Sequence, residues 1–371
     1  MWVASVAADS LRSLDRVELE LSRHVTAIVG PNGAGKTNLV EAIYFGLTGR
    51  SFRTTDRRDL IPFGQAVARC RVVVKAGDDG TDHEFMAASS RGEGSRYLMD
   101  GAAIDRAEAV SFRPATTVFS PDRLELVKGP PAGRRAHIDS YLAARWPARN
   151  ELRQRFGRAL AQRNALISRL REGGGDRSQL STWNRQVAVT GSELAGAREA
   201  AVNELSGHYT EAAADLGLDG DTGLVYRPGS AIEADEIEQG LEQRIDNDLR
   251  LGRTSWGPHH DEIRIELDRR QLRRFGSQGQ QRIGLLALLF AERSAILEGG
   301  SSPPLMLLDD VMSELDGSRR ERLINRLLDG GQSLITAAEP DLIPADESVN
   351  RMRIADLVGV ATGSDQTPGG G

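Results

Sequence analysis

Residues 25–48 read VTAIVGPNGAGKTNLVEAIYFGLT, an apolar stretch that runs into a glycine-rich turn and then into a helical pattern. The turn matches G-x-x-x-x-G-K-[ST], and its residues are Gly30, Pro31, Asn32, Gly33, Ala34, Gly35, Lys36 and Thr37. Backbone N–H groups of such a turn, with the N-terminus of the next helix, hold phosphate oxygens. We therefore expect these eight residues to bind a nucleotide, with Lys36 on the β/γ-phosphates as a catalytic group and Thr37 on Mg²⁺.

A second part of this site is expected at residues 305–310, LMLLDD, where four apolar residues end in two carboxylates. Ionised groups at the tip of a buried strand are costly unless a cation lies there, and nucleotide-bound Mg²⁺ is such a cation. The pattern predicts that Asp309 binds Mg²⁺, mainly through coordinated water. Asp310 is predicted to be catalytic, because a carboxylate at the next position can orient or deprotonate the attacking water.

A third motif opens the helical pattern at residues 277–297. Its S-x-G-Q core resembles the signature motif of ABC-type ATPases and comprises Ser277, Gln278, Gly279 and Gln280. In that class the signature of one subunit contacts the γ-phosphate held by the P-loop of the other, so these residues are expected to bind nucleotide across a dimer. Residues 313–316, SELD, resemble the D-loop that crosses the same interface.

The alternation of strands and helices around these motifs predicts an α/β fold with two lobes. Residues 1–120 and 256–355 are expected to form a P-loop ATPase lobe like an ABC or SMC head, with strand-like IRIEL at 263–267 returning the chain to it. Residues 121–255 have a helical pattern rich in Ala, Arg and Glu, and they predict an inserted, mainly helical lobe. Residues 356–371 are expected to be a disordered tail.

Charge is unevenly distributed although the 371 residues carry a net charge of only −6. Residues 121–171 hold twelve basic and four acidic residues, whereas residues 172–250 hold six basic and sixteen acidic residues. The basic stretch fits either a solvated helix face or a nucleic-acid surface. No stretch of 18 or more apolar residues occurs, and the first ten residues lack the pattern of a secretion signal, so we expect a cytoplasmic protein that does not enter a membrane.

The wording of the motifs resembles one family. Residues 30–53 (GPNGAGKTNLVEAIYFGLTGRSFR), 118–135 (VFSPDRLELVKGPPAGRR), 257–262 (GPHHDE) and the segments FGSQGQQR and LLLDDVMSELD are similar to the RecF family. The resemblance implies an SMC-like head, ATP and Mg²⁺ as cofactors, an ATP-dependent homodimer, binding to double-stranded or gapped DNA, and work with RecO and RecR in gap repair.

An ATP-closed dimer is expected to present one basic surface from each subunit to the phosphates of DNA. The candidate contacts are Arg53, Arg57, Arg58, Lys128, Arg134 and Arg135. Two departures from transport ATPases, Asp310 in place of glutamate and Thr336 in place of a switch histidine, predict slow hydrolysis. The alternatives are a transporter nucleotide-binding subunit, which would need that histidine, and a long-armed SMC protein, whose heptad array is missing here.

Overall fold

The computed structural model describes residues 1–77, 80–106, 108–300 and 302–357. Its strands are β1 (Trp2–Leu11), β2 (Leu14–Glu20), β3 (Val25–Val29), β4 (Val67–Lys75), β5 (His83–Ser90), β6 (Gly94–Met99), β7 (Ala102–Ala103), β8 (Thr116–Phe119), β9 (Thr222–Arg227), β10 (Glu262–Leu267), β11 (Arg270–Gln271), β12 (Leu305–Leu308), β13 (Ser333–Ala337) and β14 (Val349–Arg353). Its helices are α1 (Lys36–Thr48), α2 (Glu125–Lys128), α3 (Pro131–Arg145), α4 (Leu152–Arg171), α5 (Gln179–Asp215), α6 (Ala234–Gln243), α7 (Ile245–Leu251), α8 (Leu272–Phe275), α9 (Gln278–Glu298), α10 (Gly317–Leu328) and α11 (Ile354–Leu357). None of the helices in these ranges is long and apolar enough to cross a membrane.

The chain divides into two compact units, residues 1–121 with 302–357 and residues 122–300. The first unit contains a parallel sheet in the order β14-β3-β13-β12-β8. Strands β3, β12 and β13 are buried along their whole length, which explains why they are apolar without alternation. Because these strands are parallel, the segments that follow them meet at one edge of the sheet.

The same unit contains an antiparallel sheet in the order β2-β1-β4-β5-β6-β7. Its strands alternate between buried and exposed residues, as in β4, because the sheet covers the core with one face. Helix α1 packs against β4 and β5 of this sheet and against β13 of the parallel sheet. Leu39, Ile43 and Leu47, the apolar positions of the helical pattern, are fully buried there.

The second unit is built around α5, a helix of 37 residues that packs against α4, α6 and α9. It also contains a small sheet in which β10 pairs with β9 on one side and β11 on the other. The fully buried Arg163 holds its interior together by donating to Asp248 at 2.8 Å, to Asn184 at 2.8 Å and to Thr254 at 2.6 Å.

The division of the chain therefore falls at a different place from the predicted one. Residues 256–300 were expected in the ATPase lobe, but β10 pairs with β9 and α9 packs against α5, so this segment belongs to the second unit. The start of the insertion near residue 121 coincides with the division. Most of the predicted tail, residues 358–371, lies outside the described residues, and α11 covers residues 354–357.

Candidate nucleotide-binding site

The turn between β3 and α1 has the backbone conformation of a phosphate loop. Gly33 and Gly35 have φ angles of 82° and 94°, a left-handed conformation that favours glycine. A Cβ atom on Gly30 would collide with the side chain of Ile354, so only glycine fits there. Gly35 is the N-cap of α1 and no side chain caps the helix, which leaves its first N–H groups available for an anion.

Lys36 lies inside this turn and is only 7% exposed. Its Nζ donates to the backbone oxygens of Gly30 at 2.6 Å and Pro31 at 2.9 Å. Burial lowers the pKa of Lys36, while the carboxylates of Asp310 and Asp309 act in the opposite direction. A buried ammonium group held by two neutral oxygens would gain much from a phosphate, which agrees with the predicted role of Lys36.

Asp309 directly follows β12 and is 3% exposed. One carboxylate oxygen accepts a hydrogen bond from the Thr37 hydroxyl at 2.7 Å, and the other accepts one from the Thr336 hydroxyl at 2.8 Å. Burial raises the pKa of Asp309 in spite of these two bonds. The structure thus brings together the two predicted Mg²⁺ ligands, Thr37 and Asp309, which are 272 residues apart in the sequence.

Asp310 has an unusual conformation and an unsatisfied carboxylate oxygen. Its φ angle is 49°, which is uncommon and strained for a residue other than glycine. Its Oδ1 atom is buried and has no hydrogen-bond partner among the described residues. A buried acceptor without a donor costs free energy, and a water molecule held beside a Mg²⁺–nucleotide complex would supply the missing donor. The oxygen-rich pair Thr37 and Asp309 together with this unpaired acceptor fits such a complex.

Thr336, near the end of β13, connects the two aspartates, a role that the sequence did not reveal. Its hydroxyl donates to Asp309 and accepts a hydrogen bond from the backbone N–H of Asp310 at 2.9 Å, and the residue is fully buried. The sequence marked this position only by the lack of a switch histidine. Its position near the end of a buried strand that pairs with β12 was the signal that could have identified it.

The signature residues lie in the second unit, at the N-terminus of α9. Ser277 is the N-cap: its hydroxyl accepts from the N–H of Gln280 at 3.2 Å, and its own N–H donates to the Gln280 side chain at 2.8 Å. Ser277 and Gln278 are exposed. The P-loop and both aspartates lie in the first unit, so the two halves of the predicted site belong to different units of the chain.

The predicted DNA contacts differ in their surroundings. Lys128 is exposed, whereas Arg53 donates to Glu41 at 3.2 Å and Arg58 forms a close pair with Asp56 at 2.6 Å. Arg135 donates to the backbone oxygen of Asp261 at 2.7 Å. Arg57 is partly buried.

The prediction for Arg134 is wrong, because this side chain is 4% exposed. It pairs with Glu262 at 2.9 Å and donates to the backbone oxygens of residues 126, 127 and 129. Its bonds to a neighbouring helix end and to a strand help to hold the second unit together, and its burial keeps the guanidinium group from a DNA phosphate.

The chain is similar to known proteins over nearly all of its length. The RecF/RecN/SMC N-terminal domain family matches residues 2–356. The DNA replication and repair protein RecF of Anaeromyxobacter sp. is 35% identical over 356 residues, which cover 92% of the chain and 94% of that protein. The chain belongs to the RecF family. The RecF protein of Acidothermus cellulolyticus is also 35% identical, over 92% of the chain and 95% of its own length.

Solved structures place this RecF-family chain among SMC-like heads. A structure described as the recombination mediator protein RecF with ATP, in the RecFOR pathway, has a TM-score of 0.81 and 25% identity, and the match covers 93% of both chains. An Smc head bound to the C-terminal winged-helix domain of ScpA has a TM-score of 0.57 at 18% identity, covering 92% of the chain and 91% of its own. The predicted family and the predicted α/β, SMC-head-like fold class are confirmed.

Proposed function

We propose that this RecF-family protein is an ATP hydrolase that forms a homodimer when it binds ATP and then holds double-stranded DNA next to single-strand gaps. The observation that carries the proposal is the arrangement at the ends of β3 and β12, where Thr37 and Asp309 share a hydrogen bond beside a phosphate loop. The ATP in a solved RecF structure supports ATP as the nucleotide.

The residues of the first unit suggest how hydrolysis proceeds. Mg²⁺ would supply charge stabilisation of the phosphates, with Thr37 and Asp309 holding it directly or through water. Lys36 would exchange its two backbone oxygens for phosphate oxygens. Asp310 would accept a hydrogen bond, and then the proton, from the attacking water through its unpaired Oδ1. Because Thr336 cannot act as a histidine would, we expect slow turnover.

The exposed signature at the start of α9 supports a site that two subunits complete. Ser277 and Gln278 lie at a helix N-terminus, where an anion is stabilised by backbone N–H groups and the helix dipole. We propose that these residues contact the γ-phosphate of the partner subunit's nucleotide. We further propose that the protein acts in the cytoplasm with RecO and RecR, and that it promotes loading of the recombinase at gaps.

Anisotropy of a fluorescein-labelled duplex in Mg²⁺–ATP, in Mg²⁺–ADP and without nucleotide tests this function. The proposal predicts tight binding in ATP, weak binding in the other two states, and a steep fall in affinity with salt, because the contacts are to phosphates. Light scattering of the same samples should give the mass of a dimer in ATP. Equal duplex affinity in all three nucleotide states would overturn the proposal.

A further inference from the structure

Four arginines of the first unit lie around the C-terminal end of α1, and we call Arg50, Arg57, Arg106 and Arg113 the arginine cluster. Arg50 follows the helix cap Gly49, and a Cβ atom on Gly49 would lie 2.8 Å from Nε of Arg106. The chain brings these residues together from three separate segments. Arg57 opens the 3₁₀ turn Arg57–Leu60, and Arg113 follows the turn Glu108–Phe112.

The charges of the cluster act on one another. Burial lowers the pKa of Arg57, and the nearby charges of Arg106 and Arg50 lower it further. Burial is also the main reason for the lowered pKa of Arg113; Tyr97 and Tyr44 oppose the shift, and Arg50 adds to it. Partly buried cations that repel one another destabilise the fold unless an anion compensates their charge.

Among the described residues, no ion pair joins Arg50, Arg57 or Arg113 to a carboxylate, and the charges that act on Arg57 and Arg113 belong to arginines and tyrosines. The Nε atoms of Arg106 and Arg113 are buried, and they have no hydrogen-bond partner among the residues that the structure describes. Other arginines of the same unit are paired: Arg12 and Arg53 share the fully buried Glu41. The cluster thus combines unpaired buried N–H donors with positive charges that repel one another.

The end of α1 does not explain the cluster, because three carbonyl groups of its last turns already have other donors. The N–H of Gly49 donates to Phe45, the Thr48 hydroxyl donates to Tyr44, and the Tyr97 hydroxyl donates to Leu47. No arginine of the cluster donates to these oxygens in the described structure. A role of the four side chains as caps of the helix is therefore not supported.

We infer that the arginine cluster binds the phosphate groups of duplex DNA, an inference that rests on the proposed function. Guanidinium groups suit phosphate because their N–H groups can pair with two oxygens at once. The neighbouring aromatic rings pack against one another, Tyr44 on Phe52 at 5.6 Å and Phe85 on Tyr97 at 6.2 Å. The cluster therefore presents N–H donors and, among the described residues, no free aromatic ring for stacking on bases. Binding is to the phosphate backbone of DNA and is independent of base sequence.

The double variant Arg57→Gln with Arg106→Gln tests the cluster as an anion site. The matched control, Arg16→Gln with Arg96→Gln, removes two charges from exposed arginines of the same unit that each pair with a nearby glutamate. Thermal melting is measured with inorganic phosphate against chloride at equal ionic strength, with Mg²⁺ and a non-hydrolysable ATP analogue filling the P-loop. Phosphate should stabilise wild type and control more than the double variant. Equal phosphate stabilisation of all three proteins would overturn the inference.

Salt titration of duplex binding by the same proteins tests the ligand. The double variant should bind DNA at least about tenfold more weakly than wild type, because each arginine that is replaced supplies a charge-assisted hydrogen bond. Its log–log salt slope should be smaller by about 0.9 for each phosphate that is no longer neutralised, and the control should match wild type. The melting temperature without phosphate should not fall, because the substitutions remove repulsion.

The two proposals fail in different ways. Equal duplex affinity of the double variant and wild type overturns the cluster inference and leaves the proposed function intact. Failure of wild type to bind duplex in any nucleotide state overturns the proposed function. Competition for the cluster by polyglutamate but not by unlabelled duplex would assign the cluster to an acidic protein and overturn the inference.

Discussion

Replacing Thr336 by valine removes the hydroxyl that connects the two aspartates while keeping the shape of the side chain. Asp309 loses one of its two hydroxyl donors, and the N–H of Asp310 loses its acceptor. A hydrogen bond to a charged group contributes about 1.5–3 kcal/mol, and an unpaired buried N–H costs about 1–3 kcal/mol. Asp309 keeps its bond from Thr37, and Asp310 is partly accessible to water, so both costs should lie in the lower part of their ranges. Together they should lower the free energy of unfolding by about 2.5–4 kcal/mol.

The change should appear in both stability and turnover. The thermal midpoint of Thr336→Val should fall by roughly 5–15 °C for a unit of roughly 150–250 residues. Loss of a group that orients a metal ligand typically reduces metal affinity or activity about 10–100-fold, and we expect such a loss of ATP turnover.

Thr336→Ser is the matched control, because it keeps the hydroxyl and removes only a methyl group. Its free energy of unfolding should be lower than that of wild type by about 1 kcal/mol, with a correspondingly small fall in the thermal midpoint, and its ATP turnover should stay near that of wild type. Differential scanning calorimetry and a coupled phosphate-release assay measure the two effects. A valine variant that melts and turns over like wild type would refute the role of Thr336.

The other predictions concern residues that bind nucleotide. Lys36→Met should severely weaken ATP binding in a fluorescent-nucleotide titration without lowering the melting temperature, and tight binding by the variant would exclude the P-loop assignment. Asp309→Asn should raise the melting temperature of the nucleotide-free protein at neutral pH. Because the pKa of Asp309 is raised in the folded protein, ionisation of this carboxyl group lowers stability as pH rises through that pKa. The difference in melting temperature between the variant and wild type should therefore shrink on acidification. A variant that melts below wild type at neutral pH would contradict this. Ser277→Arg should leave ATP binding normal and prevent ATP-dependent dimerisation, whereas Ser181→Arg, an exposed position of the same unit, should dimerise.

The parts of the site that depend on local sequence were predictable. The P-loop, the buried strand before Asp309 and the cap at Ser277 each lie within a short segment whose pattern determines its conformation. The pairing of Thr37 with Asp309 followed from their chemistry, because a shared cation requires their proximity. These features needed no knowledge of long-range packing.

The rest depends on contacts between distant segments. β10 looked like a strand of the ATPase lobe. Its partner β9 lies in a segment whose pattern predicted helices, so nothing in the local sequence indicated that the two strands pair. Arg134 looked like a surface residue because Glu262, its partner, is 128 residues away. The arginine cluster likewise combines side chains from three segments.

Replacement of Asp310 by asparagine tests whether ATP held between the P-loop and the paired aspartates drives dimerisation. The amide keeps the size of the side chain but cannot take a proton from water. Light scattering of this variant with Mg²⁺–ATP should give a stable dimer that persists for hours, while wild type returns to monomer as ATP is consumed. A variant that remains monomeric in ATP, or one that hydrolyses ATP at the wild-type rate, would contradict the account.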